Sequence, residues 1–385
     1  MAAVKPQSDN RPPVIDADAH VVETEHTWDY LEPGEEKYRP KLFSAADDPR
    51  RQYWVVNGKI GGFRLPTMTE KELDSQSKRT GRLVNAAQAA REMDDIALRL
   101  QGMDELGIDV QVLHNSLWIE SVTDVPEAER ALCRSWNRWM ADVWAQGAGR
   151  LYWTCVVPPF DVEFAREEMR FAHNHGAVAL CLRPYEGDLI VTDPEFYPLF
   201  EEAVALDMPI AVHIANGSPA LTNLLRTRYA VGGGWAPFRV PTVIAAMAVM
   251  SSSVTSDFPT LRWGMIEASA SWVPWLCHEV QRRTGKPFNA ESNPFFGHHL
   301  YVTAQVDDDL PYIINAVGEN VLLIGTDFGH TDTSSEYDAM MKLQNNTDIT
   351  ESARRKMLSD NPAALYALGD RALAAKSSLV GVREM

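Results

Sequence analysis

The sequence predicts an α/β fold, a (β/α)8 barrel of the TIM type. Eight short apolar runs alternate with helix-like segments along the 385 residues, and eight such units point to a barrel rather than a doubly wound sheet. A doubly wound nucleotide-binding sheet places a glycine-rich loop after its first strand. Here that position reads Asp18-Ala19-His20-Val21-Val22, and neither a GxGxxG nor a Walker motif occurs elsewhere.

The elements follow in order. Residues 14–20 open with a β-branched pair and form the first strand. An acidic, aromatic segment with His26, Trp28 and Tyr30 follows. Residues 52–64 read as a hairpin turning at Asn57-Gly58. Together with polar residues 66–90 they form an insertion over 40–90, expected as a hairpin and lid across the mouth of the fold. A helix over 91–106 stops at Gly107, and strand 108–114 follows. Helix 126–146 runs to a Gly-Ala-Gly stop, and strand 152–157 is closed by Pro158-Pro159. Helix 162–175, strand 177–182, helix 194–206 and strand 209–216 come next. Beyond a glycine-rich loop at 232–235 lie helix 240–256, strand 262–268, helix 272–283, strand 299–305, helix 309–317, strand 321–325 and helix 350–368. The domain reading is one catalytic barrel over 14–370, a disordered tail over 1–13 and a C-terminal tail over 371–385.

Bulk properties narrow the function classes. The net charge of −17 argues against nucleic acid and anionic membrane surfaces as partners. No apolar run approaches the roughly 18–20 residues of a transmembrane helix, and no signal peptide is visible at the start. The 4 cysteines are scattered without a CxxC, which fits reduced thiols in a cytoplasmic protein.

In a barrel the chemistry sits at the C-terminal ends of the strands. Strand one ends in Asp18 and His20, with Asp16 expected on the same face by the alternation of a strand. Strand two ends at His114 and strand five at His213; strand six carries Glu267, and strand eight runs into Asp327 and His330. Carboxylates and neutral imidazoles converging at one end of a barrel are a metal-ligand set. Each residue also has a plainer reading. His213 fits a hydrogen-bonded core histidine, Asp327 a loop cap, His330 an outer hydrogen-bond partner, and His114 a pocket wall. Glu267 lies inside an Ile-Glu-Ala strand and needs a partner if buried. Thr333-Ser334-Ser335-Glu336 matches a capping box and reads as structural.

These motifs resemble the amidohydrolase superfamily. The likeness rests on Asp18-x-His20, on Val212-His213 with Gly217, and on Gly325-Thr326-Asp327-Phe328-x-His330. The run 266–275 and the closing 358–366 are similar to the amidohydrolase-2 branch, which includes aminocarboxymuconate semialdehyde decarboxylase. The resemblance implies an amidohydrolase-type barrel with Asp18, His20, His213 and Asp327 as metal ligands. Two departures stand out: Asp18 replaces the first histidine of a common His-x-His, and Glu267 stands where the decarboxylases place a catalytic histidine. Strand four holds no lysine for a carbamylated bridge between two metals.

The carboxylate-rich set favours an O2-dependent hydroxylase with a dinuclear non-haem site of iron, or of iron with manganese, acting on an organic acid or acyl substrate. It is similar to an oxygenase branch on the same barrel in its Glu267 and in its His330-x-Asp332-x-Ser334-Ser335 run. Glu267 would bridge, and His114 and His330 would complete the second site, with Glu267, His330 and His114 as the catalytic groups. The alternative is a mononuclear Zn or Mn decarboxylase or hydrolase with Glu267 as general acid/base. A third reading is a non-catalytic partner subunit. Arg183 at the end of strand four is the expected clamp for a substrate carboxylate, against a salt bridge as the plainer role. Trp118, Trp235 and Trp272 are expected around an apolar pocket or packed on its rim. The expected partners are a small-molecule substrate, O2, and a second copy or a related barrel chain in an oligomer.

Overall fold

The computed structural model describes residues 11–64, 68–226, 234–287, 289 and 293–383. The tail through residue 10 and residues 232–233 of the expected glycine-rich loop lie outside the described residues.

Eight strands run parallel in sequence order: β1 (Ile15–His20), β2 (Val110–His114), β3 (Leu151–Cys155), β4 (Ala177–Leu182), β5 (Ile210–His213), β6 (Trp263–Ile266), β7 (Leu300–Ala304) and β8 (Leu322–Ile324). The ends of the sheet meet: the amides of Thr326 and Asp327 donate to the Asp18 carbonyl at 3.1 and 2.8 Å, and His20 N donates to the Phe328 carbonyl at 2.7 Å. This closure needs a glycine. A Cβ on Gly325 would sit 2.3 Å from Asp18 Cβ, so any other residue would push β8 off β1.

Helix boundaries follow their caps. Asp95 caps the helix Ile96–Leu106 by accepting from Leu98 N, and Gly107 ends it with φ 71°. The expected single helix over 91–106 is divided, because Met93 lies in the left-handed region at φ 59°. Two apolar layers result. One packs the outward strand faces against the helices. The other fills the barrel from Ile15, Ala17, Val110, Val112, Ala211 and Leu323. It is continuous with Leu365, Tyr366, Ala372 and Ala375, and the Tyr366 hydroxyl donates to the Ala17 carbonyl at 2.9 Å. The segment read as a C-terminal tail over 371–385 is therefore helical over Gly369–Arg383. It extends the core through small alanines that give little apolar periodicity.

The insertion is a three-stranded antiparallel sheet, Lys41–Ser44, Gln52–Val56 and Lys59–Arg64, followed by the helix Glu70–Thr80. The expected turn has Asn57 and Gly58 both at positive φ, 50° and 77°, the type I′ pattern that matches strand twist. Trp54 is edge-on to Trp28 at 5.7 Å, Trp28 lies 6.4 Å from Trp118, and Trp118 is 6.0 Å from Trp136. This aromatic chain ties the insertion to the segment that follows β2. Among the described residues no helix is long and apolar enough to cross a membrane.

Candidate metal centre

The site forms where β1, β5, β6 and β8 end. A register irregularity between Asp16 and Ala19 breaks the simple alternation of β1. Asp16 accordingly does not join Asp18 and His20. Its carboxylate accepts from Gln111 Nε2 at 2.9 Å, from Thr326 N at 2.9 Å and from the Thr326 hydroxyl at 2.5 Å. Burial, opposed by these bonds, pushes its pKa up from 3.8 to about 6. Asp18 and His20 instead face the barrel mouth beside β5.

Five expected ligands meet there. His20 Nε2 lies 3.1 Å from His213 Nε2, 3.5 Å from Asp18 Oδ1, 3.5 Å from Asp327 Oδ1 and 3.8 Å from Glu267 Oε2. His213 Nε2 lies 3.4 Å from Asp18 Oδ1 and 3.3 Å from Glu267 Oε2. A metal with ligand bonds of about 2.0–2.2 Å sets neighbouring ligand atoms roughly 3.0–3.6 Å apart, and most of these separations match. Asp18 Oδ1, Glu267 Oε1 and Asp327 Oδ1 are buried without a hydrogen-bond partner, a costly state for carboxylates in the absence of a cation. The residues present fit a divalent metal.

Local backbone supports this aim. Glu267 and Asp327 occupy the left-handed region at φ 66° and 50°, which costs a non-glycine residue roughly 1–2 kcal/mol. The expected strand six, 262–268, consequently stops at Ile266. The turn at Glu267 is held by its own amide, which donates to the Thr303 hydroxyl at 2.5 Å. Asp327 Oδ2 accepts from the Ser335 hydroxyl at 2.7 Å. Ser335 belongs to the expected capping box, but no helix starts there; the next begins at Ala339. Ser335 serves the site instead.

The electrostatics divide the three carboxyls. Burial works against ionising Asp18, but the adjacent His20 and His213 imidazoles hold it well below the usual range. Burial, then Asp327 and Asp332, pushes Glu267 well above it. Burial, then Asp332 and Asp18, does the same for Asp327. Burial depresses His20, while for His213 the burial effect is overridden by Asp18 and Glu267, so its pKa rises. A divalent cation would favour the ionised form of the carboxyls that bind it.

The remaining expected residues separate. His330 Nδ1 is 2.9 Å from Asp327 Oδ1, and the described residues contain two overlapping groupings of metal-ligand type: Asp18, His20, His213 and Glu267, and His20, Glu267, Asp327 and His330. His114 is in neither. Its Nε2 and Nδ1 lie 3.4 Å from the Ala17 carbonyl and 3.4 Å from the Thr154 hydroxyl, and burial lowers its pKa to about 3.

Arg183 lines the cavity above the site, but its fork is already occupied. Nε donates to both Glu186 oxygens at 3.0 and 2.8 Å, Nη2 donates to Glu186, and Nη1 donates to the Glu120 carbonyl at 2.9 Å. The arrangement is a buried internal ion pair, not an open carboxylate clamp. Trp118 lines the cavity. Trp235 does not, being 62% exposed at the start of a π-helical turn, and Trp272 packs on Phe295 while its Nε1 donates to the Ala268 carbonyl. Sequence reading gave no site role to Ser116, Ser335 or Asp332, although Ser116 and Asp332 line the cavity. The cavity measures about 120 Å³, near the ~150 Å³ that admits one benzene ring.

The family model described as amidohydrolase matches residues 15–368. The chain is similar to gamma-resorcylate decarboxylase of Polaromonas sp. strain JS666, 23% identical over 300 residues covering 72% of this chain and 89% of the relative. Its fold is like that of an amidohydrolase from Mycobacterium avium subsp. paratuberculosis K-10, with TM-score 0.68, 20% identity, and 93% and 99% of the two chains covered. It is also like that of dihydroxybenzoic acid decarboxylase from Polaromonas sp. JS666, solved with bound manganese and the inhibitor 2-nitroresorcinol. That match has TM-score 0.62 and 21% identity, covering 93% and 97% of the two chains.

Proposed function

The chain belongs to the amidohydrolase family, and from that premise we propose a metal-dependent, non-oxidative decarboxylase acting on a small, ring-sized organic acid. The observation that carries this reading is the buried Glu267. It faces the cavity beside the His20–His213 pair, and burial with neighbouring Asp327 and Asp332 raises its pKa well above the usual carboxyl range, as suits a proton donor. The decarboxylase relatives add support, and a hydroxylated benzoate is the substrate class their names suggest.

Asp18, His20, His213 and Asp327 would hold the ion, with His330 beside Asp327 as a further nitrogen donor. A divalent metal there supplies Lewis acidity and orients substrate oxygens. Glu267 delivers its proton to the carbon that loses CO2, the C–C bond breaks, and the resulting carboxylate is reprotonated from solvent. Trp118, Ile119 and Val157 on the cavity wall pack against the ring and exclude water.

The test is CO2 release from a panel of hydroxybenzoates under strict anaerobiosis with Mn2+ or Zn2+-loaded protein, run in D2O. Turnover with one deuterium placed on the vacated carbon supports the reading. Absence of CO2 across the panel, with turnover appearing only when O2 is admitted, would overturn it.

One observation favours a second reading. The two overlapping ligand groupings share Glu267, whose carboxylate could serve two ions, although His20, also shared, could serve only one. That arrangement suits the O2-dependent hydroxylase with two iron ions, or iron with manganese, expected from the ligand inventory. The family relatives lend it no support, so it stands second.

A further inference from the structure

We propose that Ser116, in the turn following β2, fixes the tautomer of His330 and thereby makes Nδ1 the atom that His330 offers to a metal. This rests on the metal centre proposed above and extends it to a residue outside the ligand set.

The Ser116 hydroxyl lies 2.6 Å from the Val21 carbonyl, which can only accept, so its single proton is committed there. The same oxygen lies 2.7 Å from His330 Nε2. With its proton spent, Ser116 can only accept from the ring, so Nε2 carries the hydrogen and Nδ1 is bare. Nδ1 sits 2.9 Å from Asp327 Oδ1, yet that oxygen remains without a hydrogen bond. Two bare acceptors side by side point to a shared cation. The preceding residue acts on His20 in the opposite sense: the Asn115 carbonyl lies 3.0 Å from His20 Nδ1, leaving Nε2 bare. The two rings stack with centroids 3.8 Å apart and planes at 25°. One turn thus sets two histidines in complementary tautomers. Glu23, 2% exposed, anchors it by accepting from Ser116 N and Trp136 Nε1 at 3.0 Å each. Ser116 is a positioning residue, since it acts through His330.

The test uses metal-free protein labelled with 15N-histidine at pH 8, with the His330 signals assigned by their loss in His330→Gln. The Nε2–H tautomer is expected in the wild type and a mixture in Ser116→Ala. Mn2+ affinity, measured by chelator competition, should fall 10–100-fold in Ser116→Ala, and Ser116→Thr, which keeps the hydroxyl, should restore both readouts. A wild-type Nδ1–H tautomer, or Mn2+ affinity in Ser116→Ala within twofold of wild type, would overturn the proposal. If the wild type takes up no Mn2+, the metal centre itself falls and the tautomer measurement alone decides the role of Ser116.

Discussion

Replacing Glu267 with glutamine should make the metal-free protein more stable while weakening its response to metal. In the wild type, Glu267 is 4% exposed, Oε1 has no hydrogen-bond partner, and Asp327, Asp332 and Asp18 all disfavour its ionisation. An unsatisfied buried polar atom costs about 1–3 kcal/mol, and glutamine keeps the shape while abolishing the charge. For a domain of this size 1 kcal/mol corresponds to roughly 2 °C in Tm, so metal-free Glu267→Gln should melt roughly 2–6 °C higher. A metal at 100 times its Kd adds about 2.7 kcal/mol. If Glu267 is only the proton donor, that increment survives and decarboxylation falls by about 10²-fold or more. If it is a bridging ligand, the increment shrinks and metal content drops. Differential scanning calorimetry with and without Mn2+ reads both. A metal-free variant less stable than wild type would refute the picture of a carboxylate cluster strained by its own charge.

Other outcomes follow from the same geometry. Gly325→Ala should destabilise by about 1–3 kcal/mol through overpacking, since the new Cβ meets Asp18 Cβ at 2.3 Å, and should lose metal. Wild-type metal content and Tm would contradict the closure argument. Because Asp327 is held above its usual range, a metal bound there must displace its proton, so Mn2+ affinity should rise with pH and calorimetry should record proton release. Asp16 has a folded pKa raised from 3.8 to about 6, so its stabilising contribution is full below 3.8 and lost as pH rises through 6. Relative to wild type, Asp16→Asn should gain on the order of 3 kcal/mol of unfolding free energy between pH 3.5 and 7, read from urea curves. A pH-independent difference would place the charge elsewhere.

The barrel and the residues at its strand ends were legible because both are written locally: apolar runs give strands, and position in the run gives the end that faces the site. Asp18, His20, His213, Glu267 and Asp327 were found this way, and the structure brings them together. The exceptions are non-local. Asp16 left the expected face through the irregularity in β1, which alternation cannot foresee. Arg183 was matched to a substrate while its partner Glu186 lay three residues away, on the short hairpin Tyr185–Glu186 with Leu189–Ile190. Ser116 meets His330 across 214 residues of sequence, and Ser335 reaches Asp327 only because the chain folds back after β8. The C-terminal helix escaped notice because alanine packs against a barrel without marking a face.

The most direct test of the central claim, a cation held where β1, β5, β6 and β8 end, is elemental analysis of anaerobically purified protein beside His213→Ala. About one equivalent of manganese or zinc per chain is expected, lost in the variant. Two equivalents of iron would transfer the case to the dinuclear oxygenase, and full metal content in His213→Ala would contradict the assignment of the centre.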